Sequence, residues 1–129
     1  MGKILVIDDE AEFGLAVCRG LEATGKYRAG LATRGAEGLE MARRHPPDLI
    51  LLDVRMPGMD GLTVLKRLKE QAETMAIPVL LLTALTDEHT RQQAAQYYND
   101  DYIEKPVSFH VLLEKIEKTL ATHPQRHAA

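Results

Sequence analysis

Leu49-Ile50-Leu51-Leu52-Asp53-Val54-Arg55-Met56-Pro57-Gly58-Met59-Asp60-Gly61 carries four apolar residues straight into a carboxylate and then into a loop of turn-forming residues. A short apolar run bounded in this way fits a strand buried on both faces, as in a parallel sheet. Asp53 then stands at the carboxyl end of that strand, the edge at which open α/β sheets bind ligands. Aspartate also caps turns, so these residues alone leave Asp53 open between a chemical and a local structural task.

The segments on either side repeat the pattern. Before this strand, which starts at Asp48, His45-Pro46-Pro47 ends a short helix marked by Ala36, Leu39, Met41 and Ala42, because proline disfavours helix at its own position and just before it. Further back, Tyr27 to Thr33 reads as a strand weakened by Gly30. Gly25 is a candidate C-cap for a helix over Glu10 to Thr24. Phe13, Val17 and Leu21 share one face of that helix, and Gly14 and Gly20 each cost it roughly 1 kcal/mol against alanine. Lys3 to Ile7 is a first strand ending in Asp8 and Asp9.

Beyond the loop, Leu62, Leu65 and Leu68 predict a helix with those three residues inward. Ile77 to Thr83 reads as a strand that tolerates Pro78 at its start. Asp87 to Tyr98 predicts a polar helix, Asp101 to Glu104 a short strand, and Ser108 the N-cap of a last helix. Phe109, Leu112, Leu113, Ile116 and Leu120 form that helix's apolar face. Five strands alternating with five helices predict an α/β domain with a parallel sheet covered on both faces. Right-handed crossovers leave a flavodoxin-like, doubly wound sheet of order 2-1-3-4-5 as the natural small solution.

At 129 residues the chain reads as one domain, residues 1–121, followed by a tail over 122–129 without periodicity. Its 45% hydrophobic and 27% charged content and its net charge of -3 are ordinary for a globular protein. Arg43-Arg44 and Lys66, Arg67, Lys69 fall on helices and read as solvated faces, so no basic stripe points to nucleic acid. Cys18 stands alone, which excludes an intrachain disulfide and a cysteine metal cage. The N-terminal apolar run is too short for a signal peptide, and nothing approaches a membrane span; the expected location is cytoplasmic. His45, His89, His110, His123 and His127 are scattered and form no ligand set.

The expected topology brings several reactive groups to one sheet edge. Asp8 and Asp9 end the first strand, Asp53 the third and Thr83 the fourth, and Lys105 follows the fifth. Three carboxylates at one mouth repel one another and raise their own pKa values. A hard divalent cation such as magnesium relieves this with oxygen ligands. A cation, a lysine and a hydroxyl around one carboxylate describe a phosphoryl-transfer site with Asp53 as nucleophile. Taken singly, Asp8-Asp9 also suits a helix cap, Thr83 an ordinary strand residue and Lys105-Pro106 a surface turn.

The segments Ile4-Leu5-Val6-Ile7-Asp8-Asp9-Glu10, Leu49 to Gly61, Pro78-Val79-Leu80-Leu81-Leu82-Thr83-Ala84 and Asp100-Asp101-Tyr102-Ile103-Glu104-Lys105-Pro106, in this order and spacing, closely resemble the response-regulator receiver domain family. A chemotaxis member of that family is a standing example of the 2-1-3-4-5 order. The resemblance implies a phosphoacceptor switch in a two-component phosphorelay. Asp53 would take a phosphoryl group from a phosphohistidine on a sensor histidine kinase or a histidine phosphotransfer protein. Asp9, Asp53 and the backbone carbonyl of Arg55 would ligate Mg2+, with Mn2+ as a substitute, and Asp8 would act mainly through water. Lys105 and Thr83 would hold phosphoryl oxygens. Thr83 would draw Tyr102 inward, reshaping the face made by the fourth helix, fifth strand and fifth helix, and Pro106 would be a cis-proline that aims Lys105. Apart from its own phosphorylation and dephosphorylation the domain would not be an enzyme. The resemblance implies a downstream protein or effector domain as partner, the domain either standing alone or belonging to a longer response regulator, and allows a phosphorylation-dependent dimer.

The sequence departs from the family where Tyr98 and Asn99 replace a frequent Gly-Ala pair, which predicts a rebuilt end to the fourth helix. Arg55 and Leu85 hold the positions that tune loss of the phosphoryl group. Leu85 offers no polar atom to orient a water, so slow hydrolysis is expected. The enzyme alternative is a magnesium-dependent phosphohydrolase of the haloacid-dehalogenase kind, but those proteins carry Asp-x-Asp after the first strand. An FMN carrier would need Ser, Thr and Gly in the first loop, where Asp8-Asp9-Glu10 stands and would repel phosphate.

Overall fold

In a computed structural model of the chain, the described residues are 2–56, 58–83, 92, 101–105 and 107–122. The helix expected over 87–98, apart from Gln92, the residues Leu85, Tyr98, Asn99 and Pro106, and most of the tail lie outside them. Of Thr83 only the backbone is described. The elements are β1 (Gly2–Ile7), α1 (Ala11–Ala23), β2 (Tyr27–Ala32), α2 (Gly35–Arg44), β3 (Leu49–Asp53), α3 (Gly61–Glu70), β4 (Val79–Thr83), β5 (Asp101–Glu104) and a C-terminal helix (Phe109–Ala121). All five strands pair in parallel in the order β2-β1-β3-β4-β5, as the alternation of elements predicts.

Strand periodicity divides the core into two layers. Successive side chains point to opposite faces. Ile4, Val6, Leu49, Leu51, Leu80 and Leu82 therefore pack on one side, against Val17 and Leu21 of α1 and Leu112 and Ile116 of the C-terminal helix. Leu5, Ile7, Ile50, Leu52, Val79 and Leu81 pack on the other, against Ala42 of α2 and Val64, Leu65 and Leu68 of α3. The central strands β3 and β4 are apolar up to their last residues, Asp53 and Thr83, because both faces are covered there, whereas the outer strands β2 and β5 carry charged residues such as Arg28 and Glu104. On α3, Val64 joins Leu65 and Leu68 in full burial, and Leu62, expected inward, is only partly buried at the edge of the layer. Cys18 is buried, and that burial, with the Glu22 charge beside it, pushes its thiol above the ordinary value, as suits an inert packing group.

The helix ends follow their cap chemistry. Thr24 is the C-cap of α1, and Gly25 comes next with φ 75, a left-handed conformation that glycine adopts without penalty. Asp60 caps α3 by accepting the Thr63 N–H at 2.9 Å. Ser108 caps the last helix by accepting the Val111 N–H at 3.3 Å, as expected. Ser108→Ala leaves that donor without its side-chain acceptor and should destabilise the protein by about 1 kcal/mol. Urea unfolding at neutral pH checks this; an unchanged midpoint would show that the cap contributes nothing. Of the basic residues expected on solvated faces, Arg43, Arg44, Lys66 and Arg67 lie there, with Arg43 and Arg44 both paired to Glu40, whereas Lys69 is half-buried and its ammonium donates to the Ile77 carbonyl at 2.9 Å. Among the described residues no helix is long and apolar enough to cross a membrane.

Candidate functional site

Register alone brings the first two acidic groups together. Ile7 of β1 pairs with Leu52 of β3, so the next residues, Asp8 and Asp53, stand side by side at the carboxyl edge of the sheet. Asp8 and Asp53 continue the alternation of Ile4, Val6, Leu49 and Leu51. Lys105 continues that of Ile103 on β5, so all three belong to the α1 side of the sheet. Thr83 closes β4, paired with Glu104.

The Lys105 ammonium joins the strand ends. Its Nζ lies 3.0 Å from Asp8 Oδ2, 3.0 Å from Glu10 Oε1 and 3.5 Å from Asp53 Oδ1. It also sits 4.5 Å from the centre of the Phe13 ring. Asp8 is wholly buried, and its other oxygen, Oδ1, accepts the Glu10 backbone N–H at 2.9 Å. Burial works against the Lys105 charge, but the bonds to Glu10 and Asp8 outweigh it and hold the ammonium above its ordinary pKa. The Asp53 pKa is raised as well, which here disfavours the charged form. Burial first and the Asp8 charge second push its carboxyl up to about 6, with Asp9 adding to the rise, while Lys105 and the Arg55 backbone N–H hold it down.

The loop after β3 is pinned against the strand end. The Gly61 N–H donates to the Val54 carbonyl at 2.8 Å, and the Val54 N–H to the Leu82 carbonyl at 2.9 Å. A Cβ at Gly61 would land on the Asp53 carbonyl oxygen and 2.6 Å from the Val54 Cα, so only glycine permits this approach.

Of the residues expected at the site, Asp8, Asp53 and Lys105 meet directly. Asp9 is exposed and reaches Asp53 through its charge. Tyr102 is partly buried against the core layer shared with α2 and α3. Two participants were not foreseen, Glu10 and Phe13. Glutamate at a helix start is not a favoured cap, but nothing local to Glu10 points to Lys105, 95 residues along the chain. Oxygens of Asp8, Glu10 and Asp53 all lie within 4.8 Å of one another. An all-oxygen, multiply anionic set of this kind suits a hard divalent cation such as Mg2+.

Comparison with known proteins agrees with this geometry. The family model of the response regulator receiver domain matches residues 4–117. The chain is 39% identical over 114 residues to the response regulator PleD of Caulobacter vibrioides, covering 88% of this chain and 25% of that protein. It is 34% identical to protein PilH of Pseudomonas aeruginosa, over 94% of this chain and 99% of PilH. The chain thus spans about a quarter of one relative and nearly all of another. Among solved structures it resembles the receiver domain of the Pseudomonas aeruginosa sensor histidine kinase PA1611, which holds a magnesium ion in its active-site cleft. The TM-score there is 0.84 at 26% identity, covering 93% of this chain and 98% of that one.

The fold and site define a phosphoacceptor module of two-component signalling, and the chain belongs to the response regulator receiver domain family. Receiver domains are signalling switches that interact with histidine kinases or phosphotransfer proteins. Nothing in the comparisons favours the phosphohydrolase alternative.

Proposed function

We propose that Asp53 is the phosphoacceptor. Its carboxylate attacks the phosphorus of a phosphohistidine carried by a sensor histidine kinase or histidine phosphotransfer protein. A P–O bond forms, the P–N bond breaks and the imidazole nitrogen keeps the bonding pair, leaving an acyl phosphate on Asp53. The observation that carries this reading is the Asp53 carboxylate at the end of β3, with the Lys105 ammonium 3.5 Å away and buried Asp8 beside it.

Mg2+, or Mn2+ in its place, offsets the carboxylate charge and polarises the phosphoryl oxygens when bound. Asp53, Asp9 and the Arg55 carbonyl would hold it directly. Both Asp8 oxygens are already engaged, by the Glu10 N–H and by Lys105, which supports a water-mediated role for Asp8. Lys105 holds one phosphoryl oxygen and Thr83 another, and Pro106 is the cis-proline that aims Lys105. Recruitment of Thr83 draws Tyr102 inward and changes the face made by the helix expected over 87–98, β5 and the C-terminal helix, where a downstream protein or effector domain reads the state. The domain acts in the cytoplasm.

The test is acid-labile phosphate incorporation from acetyl phosphate. Wild type should label in the presence of Mg2+ and not after chelation with EDTA, and Asp53→Asn should not label at all. Labelling that survives the substitution would remove Asp53 from the role.

A further inference from the structure

We propose that Glu10 and Phe13 are positioning residues for Lys105, forming a cradle at the first turn of α1 that holds the ammonium short of Asp53. This rests on the reading of Asp53 and Lys105 given above, and it concerns two residues that the reading does not use. Three observations carry it. Glu10 is the N-cap residue of α1, yet its side chain makes no capping bond. That side chain reaches Lys105 Nζ instead, at 3.0 Å, although it is 64% exposed and free to turn to water. Phe13, three residues on and therefore on the same helix face, presents its ring 4.5 Å from the same nitrogen.

A lysine ammonium has three donors. Here the two short contacts go to Asp8 and Glu10, and the longest, 3.5 Å, goes to Asp53. The pull toward α1 keeps the cation off the nucleophile. The Phe13 face covers a further side of the nitrogen and favours a cation there. Without the cradle, Lys105 closes on Asp53, tightens their 3.5 Å ion pair into a direct hydrogen bond and competes with Mg2+ for the same oxygens. Glu10 and Phe13 thus set how readily the metal reaches Asp53.

Calorimetric Mg2+ titration of the whole chain tests this. Glu10→Gln removes the charge, and Glu10→Asp keeps it but shortens the reach to Lys105. Both should weaken Mg2+ binding roughly fivefold, the scale on which contacting groups couple. Phe13→Leu keeps apolar bulk without the ring face and should weaken it about twofold. In a Lys105→Met background, Glu10→Gln should change the affinity less than twofold. If Glu10→Asp binds like wild type while Glu10→Gln is weaker, Glu10 acts by charge on the ion and the cradle is wrong. Wild-type affinity in both Glu10 variants, or a full effect in the Lys105→Met background, overturns it equally. If Lys105→Met does not fold, the Glu10→Asp and Glu10→Gln comparison decides alone. Phosphate incorporation by wild type is measured in parallel. Its absence would refute the phosphoacceptor reading, whereas normal incorporation with unchanged Mg2+ affinity in the variants refutes only the cradle.

Discussion

Asp53→Asn should make the metal-free protein more stable than wild type at pH 7, by about 2 kcal/mol, even as it removes the phosphoacceptor. The Asp53 carboxyl is pushed from 3.8 up to about 6 in the folded chain, by burial first and the Asp8 charge second. Below pH 4 it is protonated whether the chain is folded or not, and it costs nothing. Between pH 4 and 6 the unfolded chain has released the proton while the folded one retains it, so folding stability falls as pH rises. Above pH 6 the full cost persists. Two pKa units correspond to about 3 kcal/mol, and the asparagine amide, imperfectly matched to a charged site, recovers somewhat less. Lys105 keeps Asp8 and Glu10 as partners in the variant, so no buried cation is left alone. Urea unfolding in EDTA at pH 4, 5, 6 and 7 reads the effect: the gap between variant and wild type should open from near zero at the acid end. Saturating Mg2+ should then narrow it by stabilising wild type alone. A wild type as stable as the variant at pH 7 in EDTA would show that Asp53 is not strained by its neighbours.

Gly61→Ala should cost about 3 kcal/mol or more, at the top of the range for overpacking. The added Cβ meets backbone on both sides, the Asp53 carbonyl and the Val54 Cα at 2.6 Å, and neither can turn aside as a flexible side chain would. Relief requires the end of β3 or the start of α3 to move, which also displaces Asp53. Gly58→Ala is the informative comparison. Gly58 has φ 80 but nothing within 4 Å of its would-be Cβ, so alanine there costs only the left-handed backbone, about 1 kcal/mol. Thermal unfolding of the two variants should separate them clearly; similar losses would mean that the close approach at Gly61 yields easily.

The layered sheet was legible in the chain because its signals are local. Apolar runs such as Leu49 to Leu52 report strands covered on both faces, the i, i+4 spacing of Phe13, Val17 and Leu21 reports a helix face, and Ser108 marks a helix start. Asp8, Asp53 and Lys105 were found for the same reason: each stands at or just beyond the end of such a run, and parallel order carries those ends to one edge. Glu10 was passed over because nothing local separates a glutamate that faces water from one that turns to a lysine far along the chain.

The parallel sheet, its two covered faces and the placing of Asp8, Asp53 and Lys105 at strand ends therefore follow from patterning and connectivity, which are properties of the linear chain. The grip of Glu10 and Phe13 on Lys105, the raised pKa of Asp53 and the bare approach of Gly61 to the end of β3 follow only from folded geometry. Desolvation, ion pairing and steric contact act over a few ångströms in space, and sequence separation carries no measure of that distance.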